Sequence, residues 1–298
     1  MPGYRKPLLS AWPSYIPMAT MRSSLSTALF LTALLPAAGL AETPAGPVAF
    51  KSSPTLSVTE NGGWKKSQNG LELRKMTLER SLPRQVVSLR LLRFDTQWIT
   101  PHIVYSPRYN LPKGSDVKTL AEKSGALAAI NGNYFDERGR PLGFLKALAQ
   151  KLNSPISPSS LFTGIFGIKD HHPFIVHRDQ FDPQHADEGI QAGPLLLSGG
   201  QAISVTRGAE KQSRRALIAM DRSQRWIIAV ADSVLGGLNW VEIQELFGAE
   251  PWQVNAVELM NLDGGGSAQL YVKSAQTEEY IPGSTDVPVA VGFFLKGR

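Results

Sequence analysis

Three consecutive glycines stand between two stiff segments, and this constrains the fold more than any other feature of the sequence. NLDGGGS, Asn261 to Ser267, follows the strand-like VNAVELM and precedes the strand-like AQLYV. Glycine loses more backbone entropy on ordering than any other residue, so a glycine run is a poor choice inside a strand or helix. The chain must therefore turn sharply here. Two readings of the turn stay open. Successive amides in mixed-handed conformations form a concave nest for an anion, with Asp263 at its lip and Ser267 as an extra donor. Alternatively, the run is only a tight bend between neighbouring strands. It is not a P-loop, because no Lys-Ser or Lys-Thr follows and a strand comes next. Nor is it an EF-hand loop, because the acidic ligand spacing is missing.

The remaining segments read in the same way. LELRKMTLE from Leu71 and VVSLRLLRF from Val86 carry strand patterning. Further strands are expected at 161–169, 174–177, 193–197, 215–221, 225–231, 254–260, 268–273 and 288–296, with ALAAI as a buried strand. SDVKTLAEKSG opens on an N-cap, Ser115, and closes at Gly125. NWVEIQELFG opens on Asn239 and closes at Gly248. Many strands with few helices in irregular order predict an α+β fold, one main mixed sheet flanked by a few helices in a single catalytic domain.

The N-terminus has the layout of a secretory signal: Arg22, an apolar run Leu25–Leu40, and small residues before Glu42. Residues 1–41 are therefore expected to be a signal peptide with an upstream extension, 42–70 a linker or irregular lead-in, and 71–298 the functional domain. The expected location is periplasmic or secreted, with no stable membrane insertion once the signal is cleaved. Removing Arg5, Lys6 and Arg22 from the 31 basic residues leaves 28 against 25 acidic ones, a net charge of +3. That balance is no nucleic-acid footprint. The absence of cysteine removes disulfides, thiolate nucleophiles and Cys-based zinc sites.

Three further clusters carry candidate chemistry. In AINGNYFDERGRPLGF, Asn131, Gly132, Asn133, Tyr134 and Asp136 arrive in a row, either as hydroxyl-binding amides beside an aromatic face or as plain turn-formers. In GIQAGPLLLSGGQAI a hairpin accounts for Gly199-Gly200 but not for Gln191 or Gly193. In SRRALIAMD, Arg214 and Arg215 should point to opposite faces of a strand, so either one of them faces the site and offers its fork to a phosphate or the pair simply faces solvent. Four of the five histidines fall in DHHPFIVHRDQFDPQHADE, where no spacing matches a ligand pattern. No metal or other cofactor is expected, and His171 and His172 are the first residues to test.

Taken in order, AINGNYFD…PLG, QAGPLL, an Arg heading an apolar strand, and AD…EL…NLDGGGSA resemble the phosphodiester glycosidase domain family over residues 71–298. Where the family has a second Gly, this chain has Asn133. The family's Arg falls on Arg215, but its Thr and Gly fall on Ala216 and Ala219. Its Asp-Gly falls on Asp232 and Ser233, and its last Ser on Ala268. The resemblance implies a secreted hydrolase of a sugar-1-phosphodiester or a phosphorylated cell-envelope glycan such as an exopolysaccharide. Asp263 is the expected carboxylate and Glu258 the reserve. Arg215 and Gly264 to Gly266 would hold phosphate, with Asn131, Asn133, Gln191, Asp232, Asn261 and Ser267 completing the pocket. A non-catalytic glycan-binding module and a phosphodiesterase acting at phosphorus remain the alternatives.

Overall fold

The computed structural model describes residues 48–248, 251–252 and 254–297. The signal-peptide segment 1–41 lies outside the described residues. Twenty strands and only two α-helices, Val117–Ser124 and Trp240–Gly248, are found among them. The strands form three sheets, one of ten strands and two of five. Every pairing is antiparallel, as in Arg215–Asp221 with Trp226–Asp232 and with Ala256–Asn261. The α+β expectation is thus corrected to a β-rich fold of three antiparallel sheets. Helices of eight and nine residues are too short to cover a broad sheet, so the sheets largely cover one another.

The burial pattern explains the continuous apolar runs. In Arg215–Asp221, Ala216 and Ile218 face a core shared by all three sheets. That core includes Leu92 and Phe94 of the large sheet, Ile130 and Phe293 of one small sheet, and Phe166 and Ile190 of the other. Leu217 and Ala219 face the opposite way, into a second core closed by Ile243, Leu246 and Phe247 of the helix Trp240–Gly248. A strand buried on both faces has no polar alternation to display, whether its neighbours are parallel or antiparallel. The helix Val117–Ser124 covers a third cluster with Ala129, Tyr271 and Ala290. Its N-cap is Asp116, whose carboxylate accepts from Thr119 N (3.0 Å) and Thr119 Oγ1 (2.8 Å). Ser115 instead bridges to Val287. Within the lead-in 42–70, Leu56–Asn61 and Lys65–Gln68 pair with Leu71–Arg80, so that segment contributes to the large sheet.

The second helix is fixed at its start. Asn239 Oδ1 accepts from Glu242 N (2.9 Å) while Glu242 Oε2 accepts from Asn239 N (3.0 Å), a reciprocal cap. Glu242 also receives Arg80 through both oxygens, at 2.8 and 3.0 Å, with both side chains almost wholly buried. Removing one partner strands the other charge in a dry interior. Glu242→Ala is expected to lower the unfolding free energy by about 3–5 kcal/mol, read from denaturant midpoints.

Candidate active site

Strand ends from different sheets converge on one cavity of about 640 Å³. Asn261 ends Ala256–Asn261 and Arg215 begins Arg215–Asp221. Tyr134 follows the strand Ala128–Asn131 after a short turn, and Gly193-Pro194 follows Glu188–Ala192. The lining includes Tyr134, Phe162, Arg215, Trp240, Asn261 and Asp263, with Arg207 and Lys211 on the same wall.

The glycine run now has a physical reason. Gly265 adopts a φ of +60°, and a side chain on Gly264 would meet Arg214 O at 2.9 Å. The loop folds back on the strand that carries both arginines. Gly265 N donates to Arg214 O (3.0 Å), so that amide is committed to the loop itself. Gly264 and Gly265 line the cavity, and the side-chain cations Arg207, Lys211 and Arg215 bring positive charge to it.

Asp263 occupies a water-poor position. Burial raises its carboxyl to about 6, although hydrogen bonds from Ser267 and Gly264 N favour the ionised form. Its backbone is held at both ends: Asp263 N donates to Gly132 O (3.0 Å), and Asn131 Nδ2 donates to Asp263 O (2.7 Å). Arg215 is buried and stacks over the Trp240 ring, with 3.4 Å from its central carbon to the ring centroid. Nε donates to Leu238 O (2.9 Å) and Nη2 to Lys211 O. Among the described residues it makes no ion pair. Burial lowers its pKa to about 10, opposed by Tyr134 and Glu242. The guanidinium therefore remains charged at neutral pH. The Tyr134 hydroxyl is pushed well above its usual range by burial and by Asp263, so it stays protonated and donates to Gly193 O.

Asn261 presents the clearest open valence. Its Nδ2 donates to Gly193 O (2.9 Å), to Tyr134 Oη (3.1 Å) and to Leu262 O, which fixes the orientation of the amide. Its Oδ1 is buried and has no donor among the described residues. An acceptor in that state calls for a hydroxyl from a ligand or a water.

Other expected site residues hold the walls instead of facing the cavity. Gln191 is fully buried: Oε1 accepts from Phe144 N (3.0 Å) and Ile156 N (2.7 Å), and Nε2 donates to Ile156 O and Phe162 O (both 2.9 Å). It ties down the segment 156–162, which forms one cavity wall. Asn133 Nδ2 donates to Leu142 O (2.8 Å). Asp136 caps a turn through Arg138 N and Arg140 N and pairs with the Arg140 side chain. Asp232 pairs with Arg214 Nε at 2.7 Å. Glu258 lies outside the cavity lining, accepting from Gly199 N (2.8 Å) at the hairpin turn, so its role is local. Gly132 and Gly193 serve through their carbonyls, and Gly266 O accepts from Ser284 N (2.8 Å). His171 and His172 sit at an exposed turn. Among the described residues no three His, Asp or Glu side chains gather as a metal site.

Replacing Gln191 with Leu takes the Gln191 partner from the amides of Phe144 and Ile156 and from the carbonyl of Ile156, while Phe162 O keeps Arg178 Nη1 at 3.1 Å. The expected loss is about 3 kcal/mol or more of stability. Activity at low temperature should fall too, as the 156–162 wall loosens; thermal melts and assays on the same sample check both.

Several cavity residues escaped the sequence reading, among them Arg207, Lys211, Trp240 and Phe162. Arg207 and Lys211 were visible as cations in TRGAEKQSRR but matched no motif. Trp240 read only as a helix residue, and Phe162 only as part of a strand, because their contacts to the site are long-range.

The phosphodiester glycosidase family model matches residues 124–295. The chain belongs to the phosphodiester glycosidase family. No curated protein sequence matches it. A hypothetical protein from Synechocystis shares the fold at 14% identity, with a TM-score of 0.57 over 80% of this chain. This chain spans only 64% of that one. The zebrafish N-acetylglucosamine-1-phosphodiester alpha-N-acetylglucosaminidase catalytic domain, auto-inhibited by its pro-peptide, aligns at 17% identity and a TM-score of 0.60. The alignment covers 80% of this chain and 88% of that domain. A putative exported protein from Burkholderia pseudomallei aligns at 10% identity and a TM-score of 0.50, covering 70% of this chain and 74% of its own. At these identities the likeness to the solved structures is one of fold, and the family assignment rests on the family match.

Proposed function

We propose that this protein is an exported hydrolase that cleaves a sugar-1-phosphodiester between the anomeric carbon and its oxygen. Water supplies a hydroxyl to the sugar, and the other product leaves as a phosphate monoester. Such a leaving group needs little protonation. What the reaction needs is an anion beside the developing oxocarbenium ion and a cation on the departing phosphate. Asp263 fills the first role and Arg215 the second. The Oδ1 of Asn261 accepts a sugar hydroxyl, and Trp240, Tyr134 and Phe162 offer apolar surface to the ring. The observation that carries this reading is one cavity holding a carboxyl raised by burial to about 6 and a buried guanidinium that makes no ion pair among the described residues.

The test is hydrolysis of a panel of sugar-1-phosphodiesters in heavy-oxygen water. Label in the released sugar is the expected result. Label in the phosphate would mean attack at phosphorus, and no turnover across the panel would sink the hydrolase reading.

A further inference from the structure

Four apolar side chains project from two adjoining turns of the large sheet, and no described residue covers them. Leu82 is 75% exposed, Val86 51%, Val234 98% and Leu235 76%. The turns are 81–84, which joins Leu71–Arg80 to Gln85–Phe94 and so lies next to Val86 near the start of that strand, and 233–237, which follows Trp226–Asp232. They are fastened together. The buried Gln85 side chain donates to Leu235 O, and Ser233 Oγ lies 2.9 Å from Val86 O and 2.8 Å from Leu235 O. The apolar tip is therefore a fixed feature of the surface, and exposing that much aliphatic area to water is unfavourable unless something receives it.

Its surroundings indicate the receiver. Neither turn contains an Asp or Glu and the first carries Arg84, while Asp232, just before the second, is paired with Arg214. The second turn runs straight into the cavity wall, with Leu238 N donating to Ser213 O (3.0 Å) and Ser213 lining the cavity. On that wall Arg207 and Lys211 are exposed, with Glu210 the one acid between them. Glu79 lies across the hairpin from Val86. Leu and Val tips with Arg84 among them, and Arg207 and Lys211 on the adjoining wall, have the chemistry of the headgroup region of an anionic bilayer, where apolar burial and attraction to lipid charge add together.

We propose that Leu82, Val86, Val234 and Leu235 form a membrane-docking tip that seats in the interface of an anionic lipid surface beside the cavity. Docking there brings the cavity wall to headgroup level, where phosphodiesters borne on lipids or envelope glycans are found. The proposal does not depend on the hydrolase reading and stands even if the chain cleaves nothing.

The chain has no cysteine, so Leu235→Cys accepts a single environment-sensitive fluorophore. The full chain carrying it is mixed with vesicles of phosphatidylglycerol and phosphatidylethanolamine. The expected result is emission at shorter wavelength and quenching by nitroxides on the acyl chains. The same label at the exposed turn residue Ala275→Cys should show neither change. Unchanged emission at 235 overturns the proposal, even if the chain sediments with the vesicles by another segment. An equal change at both positions overturns it as well.

Discussion

Asp263→Asn is expected to lose activity on the order of 10³-fold or more in kcat/KM and, above pH 6, to gain stability. Both effects have one cause. The folded protein holds this carboxyl at about 6, against a reference of 3.8. A raised carboxyl means that the folded state binds the proton more tightly than the unfolded chain does. The stability that the protonated group contributes is fully present below pH 3.8 and is lost as pH rises towards 6. Above that, the ionised wild type carries a cost of about 2 kcal/mol, after allowing for the partly exposed side chain. Asparagine has no proton to lose and carries no such cost. The melting temperatures of the two proteins should therefore coincide near pH 3.5 and separate in favour of the variant by pH 7.5. Wild-type kcat/KM should rise with pH and level off above about 6, since the reaction uses the ionised form. Full activity in the variant removes Asp263 from the chemistry, and a rate that falls through pH 6 makes it an acid instead.

The second large effect belongs to Arg215→Lys, which should lower kcat/KM by roughly 10²–10³-fold on a phosphodiester. The guanidinium is planar and lies on the Trp240 ring, with Nε and Nη2 already bonded to Leu238 O and Lys211 O. Its remaining N–H groups are thereby aimed in a fixed direction. Lysine keeps the charge but neither stacks nor forks, so it is not a conservative exchange here. A control separates phosphate binding from general damage. An aryl glycoside of the same sugar has no phosphate, and its hydrolysis should be nearly indifferent to the substitution. An equal loss on both substrates would show that Arg215 supports the cavity's shape instead of the leaving group.

Local pattern revealed much of this arrangement, and distance in the chain hid the rest. Asp263, Asn261 and Tyr134 were legible because each adjoins a turn whose residues make little sense as strand or helix. Gln191 and Asn131 were legible as polar residues in apolar surroundings, which says that each must find partners but not which ones. The structure gives Gln191 to the 156–162 segment and Asn131 to the Asp263 backbone. Glu258 looked equivalent to Asp263 by type, yet strand register sends it to a hairpin turn. Strand positions such as 215–221 followed from apolar runs. Their division among three antiparallel sheets did not, because register and layer order are set by contacts such as Ala216 with one core and Leu217 with the other.

The cavity has a stiff floor and a different kind of roof. Asn261 and Arg215 sit at the ends of neighbouring central strands, locked into doubly buried layers. Ser159 to Phe162 and Arg207 to Ser213 come from connecting segments. Lineages descended from such a scaffold can swap the roof and so admit a new guest while the reactive floor stays as it was, which makes diversification of taste cheap and loss of chemistry rare.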